Sequence, residues 1–168
     1  MPVLILARHA KAEAPRSGLD DHARALTMEG RDAAGRLGER LKDLGHVPDL
    51  ALVSSANRTV QTFKRMASAW GDVDSQIEDD LYESARERFL SVVAGAGDAQ
   101  TVLVVGHEPT TSHVTAFLAG PGSLKHPLQR MAHGMPTAGA AILELDVPWS
   151  QLDARCARLV DVIEGKPL

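Results

Sequence analysis

The sequence predicts an α/β fold, a three-layer α/β/α sandwich around a mostly parallel sheet. Two observations carry that expectation. Three short runs, residues 3–7, 50–53 and 101–105, are almost wholly apolar and show no polar alternation, the mark of strands buried on both faces. Between them lie stretches whose apolar residues recur every three or four positions, the period of an amphipathic helix. Strands alternating with helices require crossover connections, and these cover both faces of a parallel sheet. With 168 residues, 44% of them hydrophobic and 24% charged, the chain suffices for a single domain over 1–168 that needs no covalent staple.

Residues 3–7 form the first strand, and residues 10–25 are polar and irregular, broken by Pro15 and Gly18. Thr27 is placed to cap a helix whose inward face is Ala34, Leu37, Leu41 and Leu44 and which stops at Gly45. After the second strand a helix starts at Asn57, buries Val60, Phe63, Ala67 and Trp70, and ends at Gly71. Ser84 and Glu87 have capping-box spacing ahead of Phe89, Leu90, Val92 and Val93. The third strand leads through Gly106 and His107 into a helix over 110–118. Residues 120–137, rich in Gly and Pro, read as one long loop. Residues 141–147 and 158–163 then read as strands, the last near a sheet edge. A strand following a strand predicts an antiparallel addition near the C-terminus.

A net charge of −4 offers no basic footprint for nucleic acid or an anionic membrane, so neither is expected as a partner. Cys156 is the single cysteine, which rules out an intramolecular disulfide and leaves an oxidising compartment unneeded. The N-terminal run lacks the basic start and long apolar stretch of a signal peptide, and no apolar run matches a membrane span. The expected location is the cytoplasm. Nothing in the sequence encodes an oligomeric state.

Ligands of open α/β sheets bind at the carboxyl ends of the parallel strands. The first strand delivers Arg8 and His9 there. The second delivers Ser54, Ser55, Ala56, Asn57, Arg58 and Thr59, where a helix begins, and the third delivers Gly106, His107, Glu108 and Pro109, where another begins. Two arginines supply planar forks for phosphate oxygens, and helix N-termini favour an anion. A neutral histidine beside a bound phosphoryl group can attack phosphorus, while a protonated one can balance charge on its oxygens. Phosphoryl transfer needs mostly positioning and charge stabilisation, which this set supplies without a metal or other cofactor.

These residues have a recognisable pattern. Arg8-His9-Ala10, the run from Ser54 to Thr62, and Val105-Gly106-His107-Glu108-Pro109 resemble the histidine phosphatase superfamily, also called phosphoglycerate mutase-like. The likeness is nearer to its small SixA-type phosphohistidine phosphatases, which share the Arg-His-Ala-Lys-Ala opening seen from Arg8 to Ala12 and a segment like that from Arg24 to Gly30. The resemblance implies a phosphohistidine intermediate on His9, with Arg8, Arg58 and His107 completing a four-residue phosphate pocket. It also implies an acid that protonates the leaving group, for which Glu83 is the matching candidate. Larger members carry a lid between the arginine segment and that acid. The short span from Thr59 to Tyr82 has no room for one, so the site is expected to be open and shallow. The substrate implied is phosphohistidine on a partner protein, the alternatives being a small phosphoester or a non-catalytic phosphate-binding module.

Several residues have plainer readings. His107-Glu108 resembles the start of a zinc-binding helix, but Pro109 follows and Thr111 stands where the second histidine belongs. Arg24 either contacts phosphate or braces the pocket, and Glu83 is either a proton donor or a solvated cap residue. His22, His46, His113, Cys156, His126 and His133 read as ordinary helix, loop or surface residues, although His126, Arg130 and His133 lie in a loop that could border the site.

Overall fold

A computed structural model describes residues 1–168. Six strands form one sheet: β1 (Val3–Arg8), β2 (Leu50–Ser54), β3 (Asp74–Glu78), β4 (Thr101–Gly106), β5 (Gly139–Leu145) and β6 (Ala157–Glu164). Five helices cover it: α1 (Met28–Asp43), α2 (Asn57–Ala67), α3 (Arg86–Ala94), α4 (Thr110–Leu118) and α5 (Lys125–Met131). The strand order is β3-β2-β4-β1-β5-β6. The β1–β4, β4–β2 and β2–β3 pairs are parallel, whereas β5 runs antiparallel to both β1 and β6. The mixed α/β sandwich with its antiparallel C-terminal addition is therefore present, and β6 is an edge as expected.

The uninterrupted apolar runs explain the layering. Leu4, Leu6, Leu52, Val102 and Val104 point into one core with Phe89 and Val93 of α3 and Val114 and Leu118 of α4. Ile5, Ala7, Ala51, Val53, Leu103 and Val105 point into the other with Ala34, Leu37 and Leu41 of α1 and Phe63 and Met66 of α2. Alternate residues of one strand thus serve opposite cores, each burial worth roughly 1.5–3 kcal/mol for a Leu, Val or Phe side chain.

Thr27 caps α1 as expected, accepting from the Gly30 amide at 2.9 Å. Gly30 is required on steric grounds, because a Cβ there would overlap the Lys11 carbonyl oxygen. The same holds for Gly38, where α1 meets the Met66 backbone of α2.

Other expectations need correction. Leu44 does not belong to the inward face; it is the C-cap of α1 and is half exposed. Helix α2 ends at Ala67, and Trp70 packs from the following turn, donating its indole N–H to the Gly38 carbonyl at 2.9 Å. The Ser84 capping box does not form, for the N-cap of α3 is Ala85 and no side chain caps it. Strand β3 was not expected. It is polar and exposed, and its backbone pairing to β2 places it at the sheet edge. Helix α5 lies inside the supposed loop. Pro127 is its third residue, a position whose missing N–H costs no helical bond.

Candidate active site

The carboxyl ends of β1, β2 and β4 meet at one rim, and a cavity of about 330 Å³ opens there, lined by Arg8, His9, Arg24, Arg58 and His107 together with Lys11 and Glu108. The structure thus brings together all four residues of the expected phosphate pocket, and Arg24 with them. Glu83 lines an adjoining cavity of about 410 Å³ that shares Arg58, His107 and Glu108 with the first. His126, Arg130 and His133 border neither cavity; Arg130 instead pairs with Glu164 at 2.6 Å and holds α5 against β6. His22 borders neither cavity either; its Nε2 lies 2.9 Å from the Ser55 hydroxyl and its ring meets the Tyr82 ring edge-on.

His9 follows the last residue of β1 and is only 9% exposed, so this side chain is recessed. Its amide donates to the Gly106 carbonyl, and its own carbonyl accepts from Ala138. The next residue, Ala10, donates its amide to the Thr62 hydroxyl at 3.0 Å. The ring Nδ1 of His9 lies 2.7 Å from the Ala10 carbonyl oxygen, which can only accept. That bond places the proton on Nδ1 and leaves the Nε2 lone pair free. Burial, together with the positive charges of Arg58, Arg8 and Arg24, lowers the His9 pKa to about 4, so the ring is neutral at pH 7.

His107 begins the turn between β4 and α4. Its ring centroid lies 5.5 Å from that of His9, and its Nε2 is 2.7 Å from the Ser54 hydroxyl at the end of β2. Burial and Arg58 lower its pKa to about 3. The imidazole that could balance charge if protonated is therefore neutral at pH 7.

Arg58, in the first turn of α2 and 6% exposed, donates through Nη1 to the Asp21 carbonyl at 2.8 Å and through Nη2 to its carboxylate at 3.1 Å. Asp21 was missed by the sequence reading. Its carboxylate also accepts from Tyr82 Oη at 2.7 Å and Arg24 Nε at 3.0 Å, and these donors, the Tyr82 hydroxyl foremost, lower its pKa to about 2. The same bond, with burial, pushes the Tyr82 phenol up to about 12. Arg24 is thereby both a cavity wall and a brace. Arg8 donates through Nη1 to the Met135 carbonyl at 3.0 Å. Glu108 is no zinc ligand candidate in this geometry; its carboxylate accepts from the Ser112 amide, the Ser112 hydroxyl and the Met135 amide, tying the start of α4 to the loop after α5. No group of three or more His, Cys, Asp or Glu side chains is arranged to hold a metal ion.

The buried polar atoms left without a partner are Arg8 Nε, Arg58 Nε, His107 Nδ1 and Ser84 Oγ. Each belongs to a residue lining one or both of the two adjoining cavities. Buried donors are ordinarily satisfied, and an orphan of this kind marks the place of a missing partner. Unsatisfied guanidinium N–H groups on the wall of a cavity lined by Arg8, Lys11, Arg24 and Arg58 suit an oxyanion.

The family model for the histidine phosphatase superfamily (branch 1) matches residues 4–89, the part of the chain that carries Arg8, His9 and Arg58. The chain belongs to that superfamily. An uncharacterised protein of Mycobacterium tuberculosis is 35% identical to this histidine phosphatase over 155 residues, covering 91% of this chain and 96% of the relative. Among solved structures, the candidate phosphohistidine phosphatase SixA from Agrobacterium tumefaciens superposes with a TM-score of 0.82 at 29% identity, over 97% of this chain and 98% of its own. Its counterpart from Nakamurella multipartitia gives 0.79 at 31% identity, over 96% and 95%.

The two depressed histidine pKa values have a consequence for stability. Both groups ordinarily titrate at 6.5, so below that pH the unfolded chain binds protons that the folded chain refuses until about pH 4 for His9 and about 3 for His107. Stability is then fully present above pH 6.5 and falls as pH drops from 6.5 towards 4. Thermal unfolding between pH 7.5 and 4.5 is expected to show a falling melting temperature, with a shallower slope in saturating orthophosphate, whose negative charge favours protonated His107. A melting temperature independent of pH over that range would contradict the burial of two neutral histidines.

Proposed function

We propose that this histidine phosphatase works without a metal ion, through a covalent phosphohistidine on His9, and removes phosphoryl groups from phosphohistidine on a partner protein. The observation that carries the mechanism is the set of unpartnered donors around a histidine whose Nε2 lone pair is free. A phosphoryl group in the 330 Å³ cavity gives Arg8 Nε and Arg58 Nε their missing acceptors and meets His9 along its open nitrogen. Nε2 attacks phosphorus, the bond from phosphorus to the substrate nitrogen breaks, and that nitrogen leaves with a proton. Water then attacks the phosphorylated His9, breaking the new P–N bond and releasing inorganic phosphate with the imidazole restored. Arg8, Arg24, Arg58 and Lys11 supply the positive charge that a metal would otherwise bring. Glu83, which lines the adjoining cavity, is our candidate for the group that delivers the proton.

Phosphohistidine as substrate is supported by the two structural neighbours near 30% identity, both candidate SixA proteins, and by the chemistry of the bond. A phosphoramidate loses its nitrogen with less acid assistance than an ester needs to lose an alkoxide. The test is a comparison of a phosphohistidine-bearing carrier protein with a panel of small phosphoesters. The carrier is expected to be hydrolysed with a kcat/KM more than about tenfold above the best ester; a small ester turned over far more efficiently than any phosphohistidine protein would refute the substrate assignment while leaving the role of His9 in place.

A further inference from the structure

The active site continues away from His9 and changes sign as it does so. The phosphate cavity is lined by four cationic side chains, Arg8, Lys11, Arg24 and Arg58, against one carboxylate, Glu108. The adjoining 410 Å³ cavity is lined by Asp21, Glu83 and Glu108, with Arg58 already bound to Asp21 and His107 neutral. Beyond it, across Glu83 and Ser84, lies an open groove of about 720 Å³ walled by Asp80, Glu83 and Glu87 against a single cation, Arg88. Arg88 lies 4.0 Å from Asp80, and Arg86 reaches Glu87 from outside the groove, while Glu83 enters no ion pair.

Ser84 marks this path as a place where something binds. It lies on the wall common to the second cavity and the groove, is 8% exposed, and its hydroxyl has neither donor nor acceptor partner. A buried hydroxyl ordinarily finds a partner, so this one is supplied for a group that arrives from outside.

We infer that the groove over Asp80, Glu83, Ser84 and Glu87 is a specificity subsite for the segment flanking the phosphorylated residue, and that it selects segments carrying lysine or arginine. This rests on the proposed phosphohistidine substrate. With the phosphoryl group seated on the arginines, the leaving imidazole points through the second cavity and its neighbours in the chain pass along the groove. A basic side chain there meets carboxylates and brings a donor to Ser84 Oγ. An acidic one meets like charge, which suppresses the wrong partner more than it strengthens the right one.

The test uses three phosphohistidine peptides of one sequence with lysine, glutamine or glutamate at the flanking positions, the wild-type protein and the double variant Asp80→Asn, Glu87→Gln. Both replaced side chains are largely exposed, at 62% and 75%, and neither lines the cavities around His9 and His107. The wild-type protein is expected to hydrolyse the lysine peptide about five- to tenfold more efficiently than the glutamate peptide, with the difference shrinking in high salt. The variant is expected to keep its rate on the glutamine peptide and lose most of the discrimination. Equal rates on all three peptides, or discrimination unchanged in the variant, would overturn the subsite and leave the phosphohistidine reading intact. Hydrolysis of p-nitrophenyl phosphate without hydrolysis of any peptide would overturn both.

Discussion

Replacing His9 by alanine is expected to reduce turnover by at least about 10⁴-fold and to abolish the phosphoenzyme, because no other side chain presents a free nucleophilic nitrogen to the same phosphorus. The second imidazole does not substitute. His107 has its Nε2 against Ser54, keeps its unpartnered Nδ1 buried, and stands at a ring separation of 5.5 Å from His9. The fold is expected to survive the change, since the only side-chain hydrogen bond of His9 is to the adjacent residue and its backbone bonds to Gly106 and Ala138 do not involve the ring. Phosphate binding should persist in the variant, for the arginine donors remain. The measurements are turnover of a phosphohistidine carrier, ³²P transfer to the protein under alkaline denaturing conditions, and a circular dichroism melt. Retained turnover, or labelling of the variant at an undiminished level, would place the nucleophile elsewhere.

Arg58→Ala is expected to lower kcat/KM by about 10²- to 10³-fold, the usual consequence of losing one charged donor to a developing phosphoryl transition state. Arg58→Lys should recover little of this. Both terminal nitrogens of the guanidinium are held by Asp21, while its flat cationic body still lines the cavity, and an ammonium on a flexible stem cannot do both. Stability should move much less than activity. Asp21 keeps Tyr82 and Arg24 as donors, and removing the guanidinium also removes a buried N–H that has no partner. A variant that lost stability in proportion to activity would show that Arg58 serves the fold first.

The contrast between what the sequence discloses and what it hides has a physical pattern. Arg8, His9, Arg58 and His107 were legible because each follows closely on the end of an apolar strand, and strand polarity alone sends such residues to one rim. Asp21 and Tyr82 were not legible, since one sits in an irregular polar segment and their hydrogen bond joins positions 61 residues apart. No periodicity reports a contact of that kind. Glu108 was read against a metal motif, although its partners, Ser112 and Met135, are backbone and hydroxyl donors that leave no side-chain signature. Strand β3 escaped because an exposed edge strand has no apolar face to display, and α5 escaped because Pro127 signals a break except in a first turn. Ser84 fitted a capping spacing, yet its hydroxyl faces no helix amide, and that failure of a local rule coincides with a cavity wall.

The close approach of Gly30 to Lys11 gives His9 a mechanical footing. Helix α1 begins against the Lys11 carbonyl, which also accepts from the Thr27 amide and hydroxyl. One residue back, Ala10 is pinned to Thr62 of α2, and one further back the His9 carbonyl is held by Ala138 ahead of β5. Three successive residues are thus anchored to three separate parts of the fold. If a bond forms between Nε2 and phosphorus as proposed, the imidazole is carried on a backbone with little freedom to recoil. On the proposed mechanism this makes the histidine an anvil rather than a spring, with the travel that closes the reaction distance expected mainly of the phosphoryl group.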